Sequence, residues 1–316
     1  MNMMSYLPTQ DNVKSTWVSD DVKVTCIVVC YNHQDYIFDC LKGIITQKTD
    51  FAFKIVIYDD FSPDGTRSIL KAFEKQYPNI IDVYYAEFNH RGVARQEEHI
   101  DKIQGEYVAL CEGDDFWIDS SKLKKQYQES CKHNALFCIH PAIIFFQDNK
   151  SEDLFCYYGN TIRKLPQKLI FEFKNQFAPT ASYFIKKEKY LEYIVFRRRL
   201  DGGPGDFFLE AVASDRGVIY LPDVMSVYRR GGEGTYSAMQ VKSSVDSIKN
   251  DVDRWSRNLQ SLLEFNPRLE KYIRSKKMLV EIDGLLRMHD KVTDNEEYME
   301  KAIRLLKELG PLDETV

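Results

Sequence analysis

Residues 23–30, Lys-Val-Thr-Cys-Ile-Val-Val-Cys, form a continuous run rich in β-branched side chains, the pattern of a strand buried on both faces of a parallel sheet. Tyr31-Asn32-His33 ends it, and Ile37, Leu41, Ile44 and Ile45 then recur at helical spacing. The alternation repeats. A second strand at 54–58 precedes a helix marked by Ile69, Leu70, Phe73 and Tyr77. A third strand at 81–86 precedes a helix over 94–104, and a fourth at 107–111 precedes a helix over 122–130. Strands and crossover helices in this order predict βαβ units and an α/β fold.

The second half is less regular. Apolar runs at 136–146, 169–173 and 182–185 read as strands that extend the sheet and wall off a second site, with 178–182 as a loop entering one of them. From Ser237 the period returns to 3.6, through Val241, Val245, Ile248, Val252, Trp255, Leu259, Leu262 and Leu263. Two further amphipathic helices cover 268–288 and 295–309, after breaks at Pro267 and near Asp294. The organisation expected is an N-terminal arm (1–22), an α/β domain (23–234) in two halves (23–125 and 126–234), and a helical extension (235–316). The arm is ordered only if it docks.

With 316 residues, 44% of them hydrophobic, the chain can build a sizeable core. A net charge of −5 argues against a general nucleic-acid binder, which needs a basic surface. Seven scattered cysteines without a C-x-x-C pair read as buried reduced thiols, and no run reaches the ~20 apolar residues of a membrane span. A cytoplasmic location is expected.

The candidate chemistry lies after the strands. Leu110-Cys111-Glu112-Gly113-Asp114-Asp115-Phe116-Trp117 packs three carboxylates around one glycine. Such charges repel unless a cation sits among them or the protons are partly retained, and Mg²⁺ or Mn²⁺ takes oxygen ligands while keeping one or two protein carboxylates. Capping of the next helix by Asp114 or Asp119 would explain one acid and leave Glu112 and Asp115 unexplained. Asp60 can accept from a pyrimidine imide and Tyr31 offers a flat face for a base, whereas Asp64 reads as a turn residue of Ser62-Pro63-Asp64-Gly65-Thr66. The six histidines show no metal spacing and read as packing or surface residues.

Further on, Asp206 follows the turn Asp201-Gly202-Gly203-Pro204-Gly205 and precedes Phe207-Phe208. It is either a helix cap or a carboxylate desolvated enough to act as a general base, with Asp201 in reserve. Arg229 and Arg230, beside the glycines of 231–234, would neutralise a phosphate or stand as an exposed basic turn. Basic clusters at 197–199 and 274–277 read as solvated faces, with contact to anionic lipid as the alternative.

Three segments carry a family resemblance. Val-Thr-Cys-Ile-Val-Val-Cys-Tyr-Asn (24–32), Ile-Tyr-Asp-Asp-Phe-Ser-Pro-Asp-Gly-Thr (57–66) and Gly-Glu-Tyr-Val-Ala-Leu-Cys-Glu-Gly-Asp-Asp-Phe-Trp (105–117) resemble the successive signatures of family 2 inverting glycosyltransferases of GT-A fold. The resemblance covers about residues 23–230. It implies that Asp60 binds uracil with Tyr31 stacking nearby, that Glu112 and Asp114 approach the ribose and metal shell, and that Asp115 ligates Mn²⁺ or Mg²⁺ on the diphosphate. It makes Asp206 the base and gives Arg229 or Arg230 the departing diphosphate.

The implied partners are a UDP-sugar and a saccharide acceptor, lipid-linked as in O-antigen or capsule synthesis at the cytoplasmic membrane face. Peripheral membrane contact and a homodimer through the C-terminal helices are further expectations. The chain departs from the pattern at Glu112, where aspartate is commoner, at Glu97, where many relatives carry asparagine, and after Arg229, where many carry histidine. A nucleotidyltransferase would want a glycine-rich basic loop after the first strand, which Tyr31-Asn32-His33-Gln34-Asp35 does not supply. The remaining alternative is a non-catalytic subunit of the same fold, against which Asp60, Asp115 and Asp206 speak.

Overall fold

A computed structural model describes residues 3–90, 96–173, 176–231, 244–292 and 296–310, without the side chains of residues 3 and 96–98. The chain divides into two compact units. The first holds residues 1–165, 178–192 and 213–230, and the second residues 166–177, 193–212 and 231–316.

The first unit opens with α1 (Gln10–Lys14), β1 (Val22–Cys30), α2 (Ile37–Ile45), β2 (Ala52–Asp59), α3 (Thr66–Gln76) and β3 (Ile81–Tyr85). It continues through β4 (Tyr107–Glu112), β5 (Phe116–Trp117), α4 (Lys122–Lys132), β6 (Phe137–Ile139), β7 (Ala142–Phe146), β8 (Glu152–Phe155) and β9 (Arg163–Leu165). Residues 96–102 are a kinked 3₁₀ segment where the period predicted a helix over 94–104; positions 94 and 95 lie outside the described residues. The second unit contributes α5 (Lys168–Glu172), and the chain then passes β10 (Phe184–Lys186), α6 (Lys187–Arg197), α7 (Gly205–Ala213), β11 (Val218–Tyr220) and β12 (Ser226–Arg230). The helices α8 (Val245–Phe265), α9 (Glu270–His289) and α10 (Glu296–Leu309) complete the described chain.

Two mixed sheets form, ordered β3-β2-β1-β4-β10-β6-β11-β9 and β5-β12-β7-β8. Strands β3, β2, β1 and β4 are mutually parallel, with Cys30 opposite Asp59 and Val29 opposite Glu112. That register brings the two acidic loops out at one sheet edge, outside the carboxyl ends of neighbouring strands, where open α/β sheets bind ligands. Strand β10 runs antiparallel to β4 and β6. The short second sheet pairs β12 with β5, so the residues after Asp115 are hydrogen-bonded to the strand that carries Arg229.

The alternation of the first half is borne out as a mixed α/β fold. The run 169–173 is not a strand: Leu169, Ile170 and Phe171 are buried on the helix α5, and Phe171 stacks on Tyr272 at 5.5 Å and meets Phe207 edge-on at 5.5 Å. A five-residue apolar run has no period that separates strand from helix, and packing decided. The run 136–146 is two strands in different sheets, broken at His140-Pro141. Residues 3–20 are docked: Leu7 and Val13 join the core and the Tyr77 hydroxyl donates to the Pro8 carbonyl at 2.6 Å. The seven cysteines form no disulfide, and six are buried while Cys131 is exposed.

Two contacts hold the acidic turn from behind. Gly43 of α2 abuts the Trp117 backbone so closely that a Cβ there would come within 2.6 Å of the carbonyl oxygen. The Trp117 indole donates to the Ala181 carbonyl at 3.0 Å and receives the Lys122 ammonium 3.9 Å from its ring centroid. Lys122 is wholly buried, donates to Gln126 at 2.8 Å, and has its pKa lowered to about 8 by desolvation. An ammonium with a depressed pKa costs stability while it stays charged, and the cost falls away between pH ~8 and ~10.4, the unfolded value. The stability of the wild type relative to Lys122→Met is therefore expected to rise over that interval in denaturant titrations; a flat difference would mean that Lys122 titrates normally.

In the second unit, Ile248, Ile282, Leu285, Met288 and Ala302 form a small helical core. Among the described residues no helix is long and apolar enough to cross a membrane.

Candidate active site

The loops after β1 and β2 are laced together. Asn32, at φ 60°, donates its backbone N–H to the Ser62 hydroxyl at 2.9 Å, His33 donates to the Thr66 hydroxyl at 2.9 Å, and Gln34 donates to Asp64 at 3.0 Å. Asp64 also accepts from the Thr66 N–H at 3.0 Å, which makes it a turn residue as its sequence context predicted. Asp59 is buried and paired with Arg67, whose other arm donates to the Ala86 carbonyl at 2.6 Å. Asp60, also buried, accepts from the His90 N–H at 2.8 Å and lies 3.0 Å from His90 Nδ1.

At the end of β4 the chain turns tightly. Gly113 donates to the Val29 carbonyl at 2.9 Å, and a Cβ on it would lie 2.7 Å from both Cys30 Cβ and His33 Nδ1. Glycine between the acids is thus a packing requirement. Glu112 and Asp114 are half-buried, while Asp115 is buried at 1% exposure. Its Oδ1 accepts the Arg229 backbone N–H at 2.9 Å; its Oδ2 is buried without a hydrogen-bond partner. Desolvation, followed by the charges of Asp114, Glu112 and Cys111, holds the carboxyl well above the ordinary carboxylate range. An orphaned buried carboxylate oxygen is costly, and a cation is the partner that would satisfy it.

Arg229 ties this turn in place. Its guanidinium donates to the Asp114 carbonyl at 2.6 Å and to Asp39 at 2.8 Å, and lies 4.3 Å from the Phe116 ring centroid and 5.1 Å from that of Tyr36. The fork is therefore engaged within the protein. Arg230 is exposed, with its guanidinium 5.9 Å from the Phe146 centroid. Tyr31 is exposed at the end of β1.

Tyr31, Asp60, Glu112, Asp114, Asp115, Arg229 and Arg230 all belong to the first unit, and Asp206 to the second. Asp206 sits in the first turn of α7, one position inside the helix, and burial pushes its carboxyl up against the opposing pull of Arg197. Gly205 before it leaves no room for a side chain, since a Cβ would stand 2.8 Å from the Tyr193 hydroxyl. Asp201 is exposed, pairs with Arg257 at 2.7 Å, and is held through its N–H by Asn258 at 2.9 Å. Residues 232–234 and the side chain of Glu97 lie outside the described residues.

Among the described residues no three His, Cys, Asp or Glu side chains converge as a closed metal cage. An open site fits the residues present: one carboxylate with a buried, unpartnered oxygen suits a hard cation whose remaining ligands come from a substrate and water. The sequence reading did not single out Asp39, Tyr36, His90 or Arg67. The signal for His90 was positional, since it follows the third parallel strand as Asp60 follows the second. Asp39 carried none, being a single acid on a helix.

The sequence model of Glycosyl transferase family 2 matches residues 25–189, just over half of the chain. An uncharacterised protein of Mycobacterium tuberculosis is 28% identical over 222 residues, 67% of this chain and 60% of that protein. The dTDP-rhamnosyl transferase RfbG of Shigella flexneri is 30% identical over 176 residues, 52% of this chain and 56% of that one. The chain thus spans less than two thirds of these relatives' length. Among solved structures, Staphylococcus aureus TarS 1–349 in complex with UDP-GlcNAc superposes with TM-score 0.54 at 15% identity, covering 91% of this chain and 90% of that one. The mannosyltransferase PcManGT of Pyrobaculum calidifontis, in complex with GDP-Man and Mn²⁺, gives TM-score 0.53 at 15% identity, with 96% and 83% covered. These likenesses show the fold, which is GT-A with a helical C-terminal region.

Proposed function

Because the chain belongs to glycosyl transferase family 2, we propose that it transfers a sugar from a UDP-sugar to an acceptor hydroxyl, inverting the anomeric carbon. The observation that carries this reading is the buried, unpartnered Oδ2 of Asp115 at the sheet edge shared with Asp60. Asp115 would hold Mn²⁺ or Mg²⁺ there, which when bound supplies electrostatic stabilisation of the leaving diphosphate. Asp60 and Tyr31 receive the base, Glu112 and Asp114 face the ribose and diphosphate, and Arg230 meets the departing phosphate charge. Arg229 acts by holding Asp115 and the Asp114 carbonyl in place.

Asp206 takes the proton of the acceptor hydroxyl as that oxygen bonds to the anomeric carbon and the bond from that carbon to the diphosphate oxygen breaks. A carboxyl raised by burial suits a base that must bind a proton at neutral pH. The acceptor we propose is a lipid-linked saccharide of a bacterial surface polysaccharide such as O-antigen or capsule, met at the cytoplasmic membrane face. Exposed Ile303 and Leu306 on α10 are the surface we assign to a homodimer or peripheral contact.

A dTDP-sugar is the second reading, favoured by the name of RfbG, since thymine presents the same imide as uracil. The test is a panel of UDP-, dTDP- and GDP-sugars incubated with the protein and Mn²⁺ or Mg²⁺. Release of UDP that stops on chelation is the expected result, and release from none of the panel would contradict it.

A further inference from the structure

Three adjacent parallel strands each end on an exposed aromatic ring: Tyr31 after β1 is 43% exposed, Phe61 after β2 is 44% and Phe88 after β3 is 56%. Three large rings thus face water on neighbouring strand ends, at the same sheet edge as the acidic loops. Phe61 also carries a backbone anomaly. Its φ is +66°, a region that bulky side chains rarely adopt and that persists when surrounding structure enforces it, commonly at ligand sites. The enforcement is visible on both flanks. Ser62 accepts from Asn32 at 2.9 Å and donates its N–H to Asp59 at 3.3 Å, while the Asp60 N–H donates to the Cys30 carbonyl at 2.9 Å.

Glycine would occupy this backbone without strain, yet the position holds the largest ring that the loop carries. The Arg67 guanidinium lies 5.1 Å from the Phe61 centroid and is itself fixed by Asp59 and the Ala86 carbonyl, so the ring is braced from within the protein. Phe88 is braced likewise, its ring 4.3 Å from that of His90, which is bonded to Asp60. Both rings are therefore tied to the carboxylates of the Asp59-Asp60 pair and left open on their outer surfaces.

We propose that Phe61, together with Phe88, extends the aromatic surface begun by Tyr31 on which the donor's nucleobase stacks. The inference rests on the sugar-nucleotide reading above and adds to it which side chains set affinity for the base. Stacking is tolerant of base identity, because every base has a π-face. Choice between bases then falls to hydrogen bonding near Asp60, and the phenylalanines supply affinity common to all donors.

The test uses the full-length protein with Mn²⁺ and titrates UDP and, separately, inorganic pyrophosphate. Phe61→Ala and Phe61→Gly are both expected to weaken UDP about tenfold, the scale of one base–aromatic stack, while pyrophosphate binding stays unchanged. Phe61→Tyr should retain UDP affinity, and Phe88→Ala should weaken it in the same sense. Thermal melting provides the control: Phe61→Gly should melt no lower than Phe61→Ala, since only glycine relieves the φ strain. If Phe61→Ala does not fold, the glycine and tyrosine variants still decide. Donor KM should rise with the UDP dissociation constant, with a far smaller change in kcat.

UDP affinity unchanged in both Phe61→Ala and Phe61→Gly would overturn the inference, as would an equal loss for pyrophosphate, which would mark a general loop effect. A rise confined to the acceptor KM would overturn it in favour of a sugar platform. A wild type that binds no nucleoside diphosphate would overturn the functional reading itself, which separates the two failures.

Discussion

Asp115→Asn is expected to lose on the order of 10³-fold in kcat/KM while melting no lower than the wild type. The two effects have one cause. Asn keeps an acceptor for the Arg229 N–H and nearly the same shape, so the turn should remain in place. It removes a charge that burial, Asp114 and Glu112 all oppose, so the folded state gains where the free wild-type protein is strained. What it cannot do is bind a divalent cation as a carboxylate does, and several kcal/mol of diphosphate stabilisation should go with it. A variant that lost activity and stability together would have lost its fold, and the assay would then say nothing of the metal. Coupled melting and UDP-release measurements separate these outcomes.

Asp206→Asn is expected to reduce kcat by ~10²–10⁴-fold, with little change in donor KM or in UDP affinity. The carboxylate is needed only when the acceptor oxygen attacks, so donor binding should not register its loss. The pH profile adds a sign. A base works deprotonated, and burial moves the Asp206 carboxyl upward, so wild-type kcat should rise with pH along an acid limb displaced above the ordinary carboxylate range. Asp206→Asn should lack that limb. Asp201→Asn is the internal control: its carboxylate is exposed and paired with Arg257, so its removal should leave the limb in place. Undiminished turnover in Asp206→Asn would move the base elsewhere.

The parts of the molecule that were legible beforehand share a property: they depend on short-range pattern. The apolar run 23–30 could only be a strand buried on both faces, and with 54–58 and 107–111 it committed the acidic loops to one edge of a parallel sheet. Asp64 was readable as a turn residue because its partners, Gln34 and Thr66, lie in the two loops that such a turn brings together. What escaped depended on distant partners. Leu169, Ile170 and Phe171 became helical because they pack against Phe207 and Tyr272, which no local period encodes.

Arg229 teaches the same lesson at the site. As sequence it is a cation beside glycines, suited to a phosphate. In the fold its strand pairs with the two residues that follow Asp115, which places its backbone N–H on that carboxylate and its fork on Asp39, 190 positions away. The identity of the residue was visible, and the occupancy of its donors was not. His90 was set aside for want of metal spacing, yet its value lies in a hydrogen bond to Asp60 that only the third parallel strand could deliver.

The central claim is that Asp115 Oδ2 accepts a divalent cation in company with a diphosphate. Calorimetric titration of Mn²⁺ into wild type and Asp115→Asn, each with and without saturating UDP, tests it most directly. Tight Mn²⁺ binding that requires both UDP and Asp115 is the predicted result. Mn²⁺ bound equally well by Asp115→Asn, or by neither protein when UDP is bound, would contradict it.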